Sequence, residues 1–219
     1  MAERTYHEQS IIKYTKQLRE IQEQLPKFTR QFFIAIDQTT AARTRVAYAT
    51  DLKNFFEYIQ LNYRNYAETE IVDYPIGILT ELKAEDFEQY IQYLKLYSDK
   101  NGKDIINHER SIKRKLSALR CMYQYFHKNK IINENPILQV NMPKLHDKAI
   151  IRFDEDETAN FLDEVETGAQ LTKKQKEFHD KNGVRDLAIL TLMLGTGIRV
   201  SECVGLNLSE KKKKNTRIK

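Results

Sequence analysis

The sequence predicts a mainly α-helical protein of one or two domains. The first observation is that apolar residues recur every three or four positions in several long stretches, which is the period of an amphipathic helix. The second is that turn-forming positions, such as Pro26 and the pair Asn135-Pro136, separate these stretches. The third is a hydrophobic content of 41%, which is enough to build a core. Together these observations favour a bundle of packed helices.

Residues 1–36 are predicted to form one or two helices, which we describe as an N-terminal helical extension. Pro26 breaks the helical pattern between two groups of apolar residues. The extension either packs on the core of the helices that follow it, or contacts the next domain or a partner subunit. Its apolar positions are Ile11, Ile12, Leu18, Ile21 and Leu25 before the break, and Phe28, Phe32, Phe33 and Ile36 after it.

Two further helices are predicted over residues 43–63 and 84–98, with a loop between them. Thr40 or Thr44 is a candidate cap for the first helix, because a threonine hydroxyl accepts a hydrogen bond from the unpaired N–H groups of the first turn. The loop contains Pro75 and Gly77, and the apolar positions are Tyr48, Leu52, Phe55 and Ile59 in the first helix and Phe87, Tyr90, Ile91, Leu94 and Tyr97 in the second.

Residues 107–128 form the most informative predicted helix, and residues 37–140 as a whole are predicted to be one helical domain. One side of this helix is an apolar stripe, and the opposite side, the basic face, holds four cations and one hydroxyl but no acid. An ordinary exposed helix mixes both charge signs. The basic face is therefore either simply solvated or adapted to phosphates and the DNA major groove. The stripe is Ile112, Leu116, Leu119, Tyr123 and Phe126, and the basic face is Arg110, Lys113, Arg114, Ser117 and Arg120.

Residues 141–152 are predicted to be an interdomain linker, because Pro143 favours an extended chain and no helical period is sustained. A second domain is predicted to begin at Phe153. Residues 167–182 are polar and rich in lysine, and we predict a loop there, followed by a buried helix from Gly183 to Leu194. Four acids that suit the N-terminal turn of a helix follow Phe153, namely Asp154, Glu155, Asp156 and Glu157.

The apolar run leads into Leu194-Gly195-Thr196-Gly197-Ile198-Arg199-Val200-Ser201-Glu202. The two glycines predict a turn, with a new helix that begins at about Arg199. Arg199 and Glu202 then lie one turn apart on the same face. This pair is either a structural ion pair or part of an anion site, since a guanidinium can grip two phosphate oxygens.

The net charge of +5 is unevenly distributed. Residues 100–130 hold nine Lys/Arg and two acids, and residues 211–219 hold six Lys/Arg and no acid. A local basic surface on a mildly acidic body suits a nucleic-acid partner better than a membrane. The two cysteines, Cys121 and Cys203, have no metal-ligand spacing, and we expect buried, reduced thiols in a cytoplasmic, nucleoid-associated protein that needs no metal or cofactor.

The string that contains Arg199 and Glu202, continued by Val204-Gly205-Leu206, closely resembles the first active-site motif of the tyrosine recombinases, the phage-type, Xer-like integrase family. The resemblance implies that Arg199 binds the scissile phosphate and that Glu202 supports the site, so both are candidate catalytic residues. It also implies that residues 37–140 are a core-binding domain, a SAM-like helical bundle that clamps duplex DNA, and that residues 153–208 are the first helices of a catalytic domain.

The later active-site members of the family have no counterpart after this motif. They are a hairpin lysine, a His-x-x-Arg motif, a further His or Trp, and the tyrosine nucleophile that forms a phosphotyrosine intermediate. All five histidines precede the motif, and the last tyrosine is Tyr125. We therefore expect a recombinase truncated within its catalytic domain, with a basic tail at residues 209–219, that binds double-stranded DNA but does not cleave it.

Two other functions remain open at this point. The chain is alternatively a non-catalytic regulator that occupies a recombination site, or a helical protein-interaction domain whose basic helix meets an acidic partner. Family members assemble as tetramers on DNA through a C-terminal segment. Since that segment is not found after the motif, we expect a monomer or a weak dimer.

Overall fold

The structure, a computed structural model, describes residues 5–98, 101–146, 149 and 151–206. It confirms the prediction of a mainly α-helical protein. None of the helices in these ranges is both long and apolar enough to cross a membrane. The helices are α1 (Tyr6–Gln22), α2 (Thr29–Ala35), α3 (Ala42–Asn62), α4 (Ile78–Glu81), α5 (Ala84–Lys95), α6 (Glu109–Lys128), α7 (Glu155–Thr167), α8 (Lys173–Thr196) and α9 (Val200–Val204); β1 (Leu96–Ser98) and β2 (Asp104–Ile106) form a hairpin, and Ile71–Asp73 and Pro136–Leu138 are single 3₁₀ turns.

The chain divides into two compact units, one of Gln9–Asp147 and one of Lys148–Lys219 together with Met1–Glu8. The first, the N-terminal unit, has an aromatic core built by α3, α5 and α6. The Phe55 ring stacks on Phe87 with 5.7 Å between centroids, and Phe87 meets Tyr123 edge-on at 5.3 Å. These rings are buried, because the apolar stripes of the three helices converge.

The segment before α3 contributes to the same core. Phe32 and Phe33 of α2 are buried among the side chains of the bundle. The ring of Phe28 packs edge-on against Phe126 of α6 at 5.7 Å. For residues 9–36, the structure shows the first of the two arrangements considered, which is packing on the core of the following helices.

The helix predicted over residues 84–98 ends earlier than expected. It stops at Lys95, and Leu96, Tyr97 and Ser98 form β1, which pairs antiparallel with β2. Tyr97 lies opposite Ile105 in this hairpin, so its apolar side chain is matched across strands and not along a helix. The spacing from Leu94 to Tyr97 fits both structures, which is why helical periodicity alone extended the helix too far.

The loop predicted over residues 167–182 is also wrong for most of its length. Gly168 ends α7 in the left-handed conformation, with φ of 60°, and α8 begins at Lys173. Thr172 and Gln175 cap α8, since the Gln175 side-chain oxygen accepts a hydrogen bond of 2.9 Å from the Thr172 N–H. This Thr-x-x-Gln capping box is a helix-start signal in the sequence, and the polar composition concealed it.

His179 joins α7 to α8 within the second unit. Its Nε2 donates a hydrogen bond of 2.9 Å to the carbonyl oxygen of Val165. The imidazole lies against two glycines, so that a Cβ at Gly183 would come within 3.0 Å of Nε2 and a Cβ at Gly168 within 3.2 Å of Nδ1. The absence of side chains at these glycines lets the ring fit between the helices.

The second unit leaves its apolar side chains accessible over the range 151–206. The helix predicted to be buried, Gly183 to Leu194, is part of α8, where Ile189, Leu192 and Leu194 are each about two-fifths exposed. The prediction of burial is wrong because α7 and α9 contact only part of the circumference of α8 within this unit. The capped acidic start of α7 agrees with the sequence, since Asp154 accepts a hydrogen bond of 2.7 Å from Glu157 N–H.

The core of the N-terminal unit gives a direct test of packing. Leu116 of α6 is fully buried, whereas Leu61 of α3 is 72% exposed. We expect Leu116→Ala to lower the free energy of unfolding by about 2–5 kcal/mol, because it removes buried methyl groups and leaves a cavity. The matched variant Leu61→Ala should change it by less than about 0.5 kcal/mol. Urea denaturation followed by circular dichroism measures both, and equal losses would contradict the assigned orientation of α6.

Candidate nucleic-acid interface

One side of α6 is buried and the opposite side is accessible. Its apolar stripe is buried in the core of the N-terminal unit, and α3 and α5 pack on it. The basic face lies away from that stripe, and Arg110 and Arg114 are exposed there. The core therefore fixes which side of α6 can meet a partner.

A buried carboxylate lies beside the basic face. Asp51 of α3 has no exposed surface, and its Oδ2 accepts a short hydrogen bond from Nη1 of Arg114. Its Oδ1 lies 3.5 Å from Nζ of Lys115, whose side chain is only 7% exposed. We call these three residues the Asp51 cluster. An acid therefore does lie beside the basic face, but it comes from α3 and not from α6.

Burial is the largest influence on the pKa values of Asp51 and Lys115. Loss of hydration raises the pKa of the Asp51 carboxyl, and the charges of Lys115 and Arg114 oppose that rise. Burial likewise lowers the pKa of the Lys115 ammonium, and Asp51 opposes that change. Removal of one partner would leave an uncompensated buried charge, which typically costs about 3–5 kcal/mol.

Arg120 is held by the backbone of its own unit. Its Nη2 donates a hydrogen bond of 2.6 Å to the carbonyl oxygen of Val140, and its Nε is buried without a hydrogen bond to the described residues. The side chain ties α6 to the segment that follows Pro136–Leu138. The Nη2 donor is therefore already used within the N-terminal unit.

The remaining members of the basic face differ in how accessible they are. Arg110 is exposed, and Lys113 is half-buried. The Ser117 hydroxyl donates a hydrogen bond of 2.8 Å to the Lys113 carbonyl, so it is partly satisfied by its own helix. The five predicted DNA-binding residues stay a prediction; among their cations, Arg110 and Arg114 are exposed, and Lys113 and Arg120 are half-buried.

Arg199 and Glu202 lie at the start of α9, in the second unit. Helix α8 continues through Gly195 and ends at Thr196, and Gly197 makes the turn with φ of 67°. Only the second glycine therefore needs the left-handed conformation. Arg199 caps α9 in an extended conformation, as the sequence predicted for a helix that restarts there.

Three hydrogen bonds join Arg199 and Glu202, one of them from the Glu202 backbone N–H to the Arg199 carbonyl oxygen at 2.9 Å. The Arg199 backbone N–H donates to Glu202 Oε2 at 2.9 Å, and Nη1 donates to Oε1 at 3.2 Å. Both side chains are exposed, at 81% and 52%. The bond from the backbone N–H is the larger cause of a lowered pKa at the Glu202 carboxyl, and the guanidinium bond is the second. This geometry shows the structural ion pair, and the catalytic roles stay a prediction.

The next features predicted from the sequence are the two cysteines and the lack of metal-ligand spacing. Cys121 and Cys203 are free but only half-buried, so the expectation of buried thiols was too strong. Burial raises the pKa of the Cys121 thiol. In the described ranges, no three His, Cys, Asp or Glu side chains converge in a way that could hold a metal ion.

Asp51 and Lys115 were not among the predicted site residues, although their positions in the sequence carried a signal. Asp51 lies three residues after Tyr48 and four before Phe55, within the apolar stripe of α3. Lys115 lies three residues after Ile112 and four before Leu119 in α6. One acid and one base, each at a stripe position of its helix, indicate a buried pair that joins the two helices.

Three curated proteins illustrate what the chain is similar to. Tyrosine recombinase XerC of Bacillus licheniformis is 33% identical over 168 residues, which covers 71% of this chain and 49% of that protein. Tyrosine recombinase XerS of Streptococcus equi is 32% identical over 190 residues, covering 76% and 52%. Tyrosine recombinase XerS of Streptococcus thermophilus is 27% identical over 219 residues, covering 89% and 60%. The chain spans about half the length of the first two relatives. No family model and no solved structure matches it.

The hydrogen bonds of Glu202 predict a measurable titration. We expect its carboxyl to titrate below the usual glutamate pKa, and Arg199→Ala should keep part of that shift because the backbone N–H remains. Since the folded pKa is lowered, the capping contribution is complete above the ordinary pKa and is lost as the pH falls through the lowered one. Carbon-detected NMR titration of both proteins measures this, and disappearance of the whole shift in the variant would assign it to the guanidinium instead.

Proposed function

The chain belongs to the Xer-like tyrosine recombinases, and on that premise we propose that it is a site-specific recombinase polypeptide whose N-terminal unit binds double-stranded DNA. The recombinase relatives confirm the family resemblance that the Arg199 motif indicated. The observation that carries the DNA proposal is the orientation of α6. Its apolar stripe is locked in the core, so Arg110 and the exposed part of Arg114 face outward beside the half-buried Lys113.

Charge and shape support duplex DNA as the partner. An α-helix fits the major groove, and cations along its exposed side contact the flanking phosphates. Arg110 precedes Arg114 by four residues, so the two lie one turn apart on the same side of α6. That spacing suits successive phosphate oxygens and carries little base-specific information. We therefore assign these residues to backbone contact and to the electrostatic part of the affinity.

We further propose that Arg199 contacts the scissile phosphate, with Glu202 as its support. The hydrogen bonds from Arg199 to Glu202 restrict the rotation of the guanidinium, which is otherwise four-fifths exposed. Arg199 is one cation, however, and stabilisation of a phosphoryl transition state needs several converging donors and a nucleophile. The sequence has no tyrosine after Tyr125 and no histidine after His179. We propose that a polypeptide of these 219 residues binds DNA without cleaving it.

The affinity for duplex DNA tests the binding proposal. We expect binding to weaken steeply with salt, and Arg110→Ala or Lys113→Ala to lower the slope of log affinity against log salt by about one each. The measurement is fluorescence anisotropy of a labelled mixed-sequence duplex at increasing potassium chloride. Arg30→Ala in α2, an exposed arginine outside α6, is the charge-matched control and should leave the slope nearly unchanged. Equal effects at the two surfaces would contradict the assignment to α6.

Cleavage is tested separately with a suicide substrate, a duplex nicked near a site that a full-length relative recognises. We expect no covalent protein–DNA adduct on a denaturing gel, because the residues after the Arg199 motif include no tyrosine. Tyrosine recombinase XerC of Bacillus subtilis serves as the positive control on the same substrate. An adduct formed by the 219-residue polypeptide would overturn the non-cleaving proposal and would direct attention to the tyrosines of the N-terminal unit.

A further inference from the structure

The Asp51 cluster has one more cation than charge balance requires. Lys115 is almost fully buried and by itself offsets the negative charge of Asp51. Arg114 contacts the same carboxylate, yet 47% of its side chain is exposed. A residue needed only to neutralise a buried charge would gain nothing from lying half in solvent. The position of Arg114 therefore calls for a reason other than charge balance.

We propose that Asp51 is a positioning residue, which holds the guanidinium of Arg114 in the orientation that contacts a DNA phosphate. This inference rests on the proposed DNA-binding function and deepens it. Asp51 itself has no exposed surface, so it acts only through Arg114.

The geometry supports this role through the shape of the guanidinium. A guanidinium carries five N–H donors in a rigid plane, and Asp51 accepts from Nη1. The outward edge of the plane then keeps donors for a second anion. A free arginine side chain must lose its rotational freedom when it grips a phosphate, whereas a clamped one has already lost much of it.

The two oxygens of Asp51 are used by different partners. Oδ2 meets Arg114, and Oδ1 faces Lys115. Lys115 lies within ion-pair distance of Oδ1, and the hydrogen bond from Arg114 to Oδ2 links the carboxylate to the guanidinium. The chain of contacts begins at a buried ammonium on the core side of α6 and ends at a half-exposed guanidinium on its basic face.

Electrostatics alone predicts the opposite effect of Asp51 on DNA binding. A carboxylate next to the basic face reduces the positive potential that attracts phosphates. If Asp51 acts only through its charge, then Asp51→Asn raises the affinity for DNA. If it positions Arg114, Asp51→Asn lowers the affinity even though the protein becomes more positive. The two possibilities therefore differ in sign.

The experiment measures the anisotropy of the labelled mixed-sequence duplex with the full chain. We expect Asp51→Asn to bind about tenfold more weakly and with a salt slope reduced by up to about one, as for a lost charge-assisted phosphate contact. The charge-matched control is Asp73→Asn, whose carboxylate pairs with the exposed Lys27 and should leave affinity unchanged or slightly higher. An affinity of Asp51→Asn equal to or above that of the unaltered chain overturns the proposal.

A double-mutant cycle separates positioning from loss of folded protein. In the Arg114→Ala background, Asp51→Asn should no longer lower the affinity, because no guanidinium remains to be positioned. The same loss in both backgrounds would show that Asp51 acts on folding alone and would overturn the proposal. Circular dichroism of each variant gives the folded fraction, and an altered salt slope cannot result from a smaller folded fraction.

Arg114→Lys gives a second route that leaves Asp51 intact. Lysine keeps the charge but has no planar fork, so an ammonium occupied by Asp51 presents no second edge to phosphate. We expect its affinity to fall by several-fold, and affinity equal to that of the unaltered chain would overturn the proposal. Arg110→Ala separates failure of the DNA-binding proposal from failure of the positioning proposal. If it weakens binding while the Asp51 and Arg114 variants do not, the DNA-binding function stands and only the positioning role is lost.

Discussion

The interaction on which the N-terminal unit depends is the packing of α6 against α3. Side chains from both helices fill the aromatic core, and the Asp51 cluster joins the helices across the edge of that core. A buried ion pair is poor evidence of net stability, since desolvation offsets much of the attraction. It is effective in excluding alternatives, because a rotated or shifted α6 would leave the carboxylate of Asp51 buried and unpaired. The core and the Asp51 cluster therefore determine which residues of α6 face outward.

The two units contrast in how completely each buries its own apolar residues. The N-terminal unit encloses a continuous core to which α1, α2, α3, α5 and α6 contribute. In the described part of the second unit, apolar side chains such as Val184 and Leu192 remain exposed. Exposed apolar surface of this extent ordinarily marks a contact site. Because the matched part of this chain covers only about half of the first two relatives compared above, we propose that sequence beyond the matched part covers this surface in those proteins.

Much of the fold could be predicted from periodicity, because the apolar stripes of α3, α5 and α6 are long and regular. The start of α8 was missed because the polar, lysine-rich composition outweighed the capping signal of Thr172 and Gln175. The hairpin was missed because the position of Tyr97 fits the periodicity of a helix as well as that of a strand. The site was harder to predict. Asp51 and Arg114 are 63 residues apart, and periodicity within one helix cannot show which neighbour supplies a partner. Local geometry also cannot assign a phosphate to Arg199, because the hydrogen bond described for its guanidinium goes to Glu202.

The imidazole of His179 limits which residues can replace Gly168 and Gly183 in the second unit. Its ring fills the space that a side chain at Gly168 or Gly183 would need, and Gly168 also has a positive φ. These three positions are therefore not independent. A larger residue at 183 requires the ring of His179 to shift or a smaller residue at 179, while 168 stays restricted by its backbone in either case. Substitutions at 179 and 183 should thus show epistasis, in which each change is harmful alone and milder in combination.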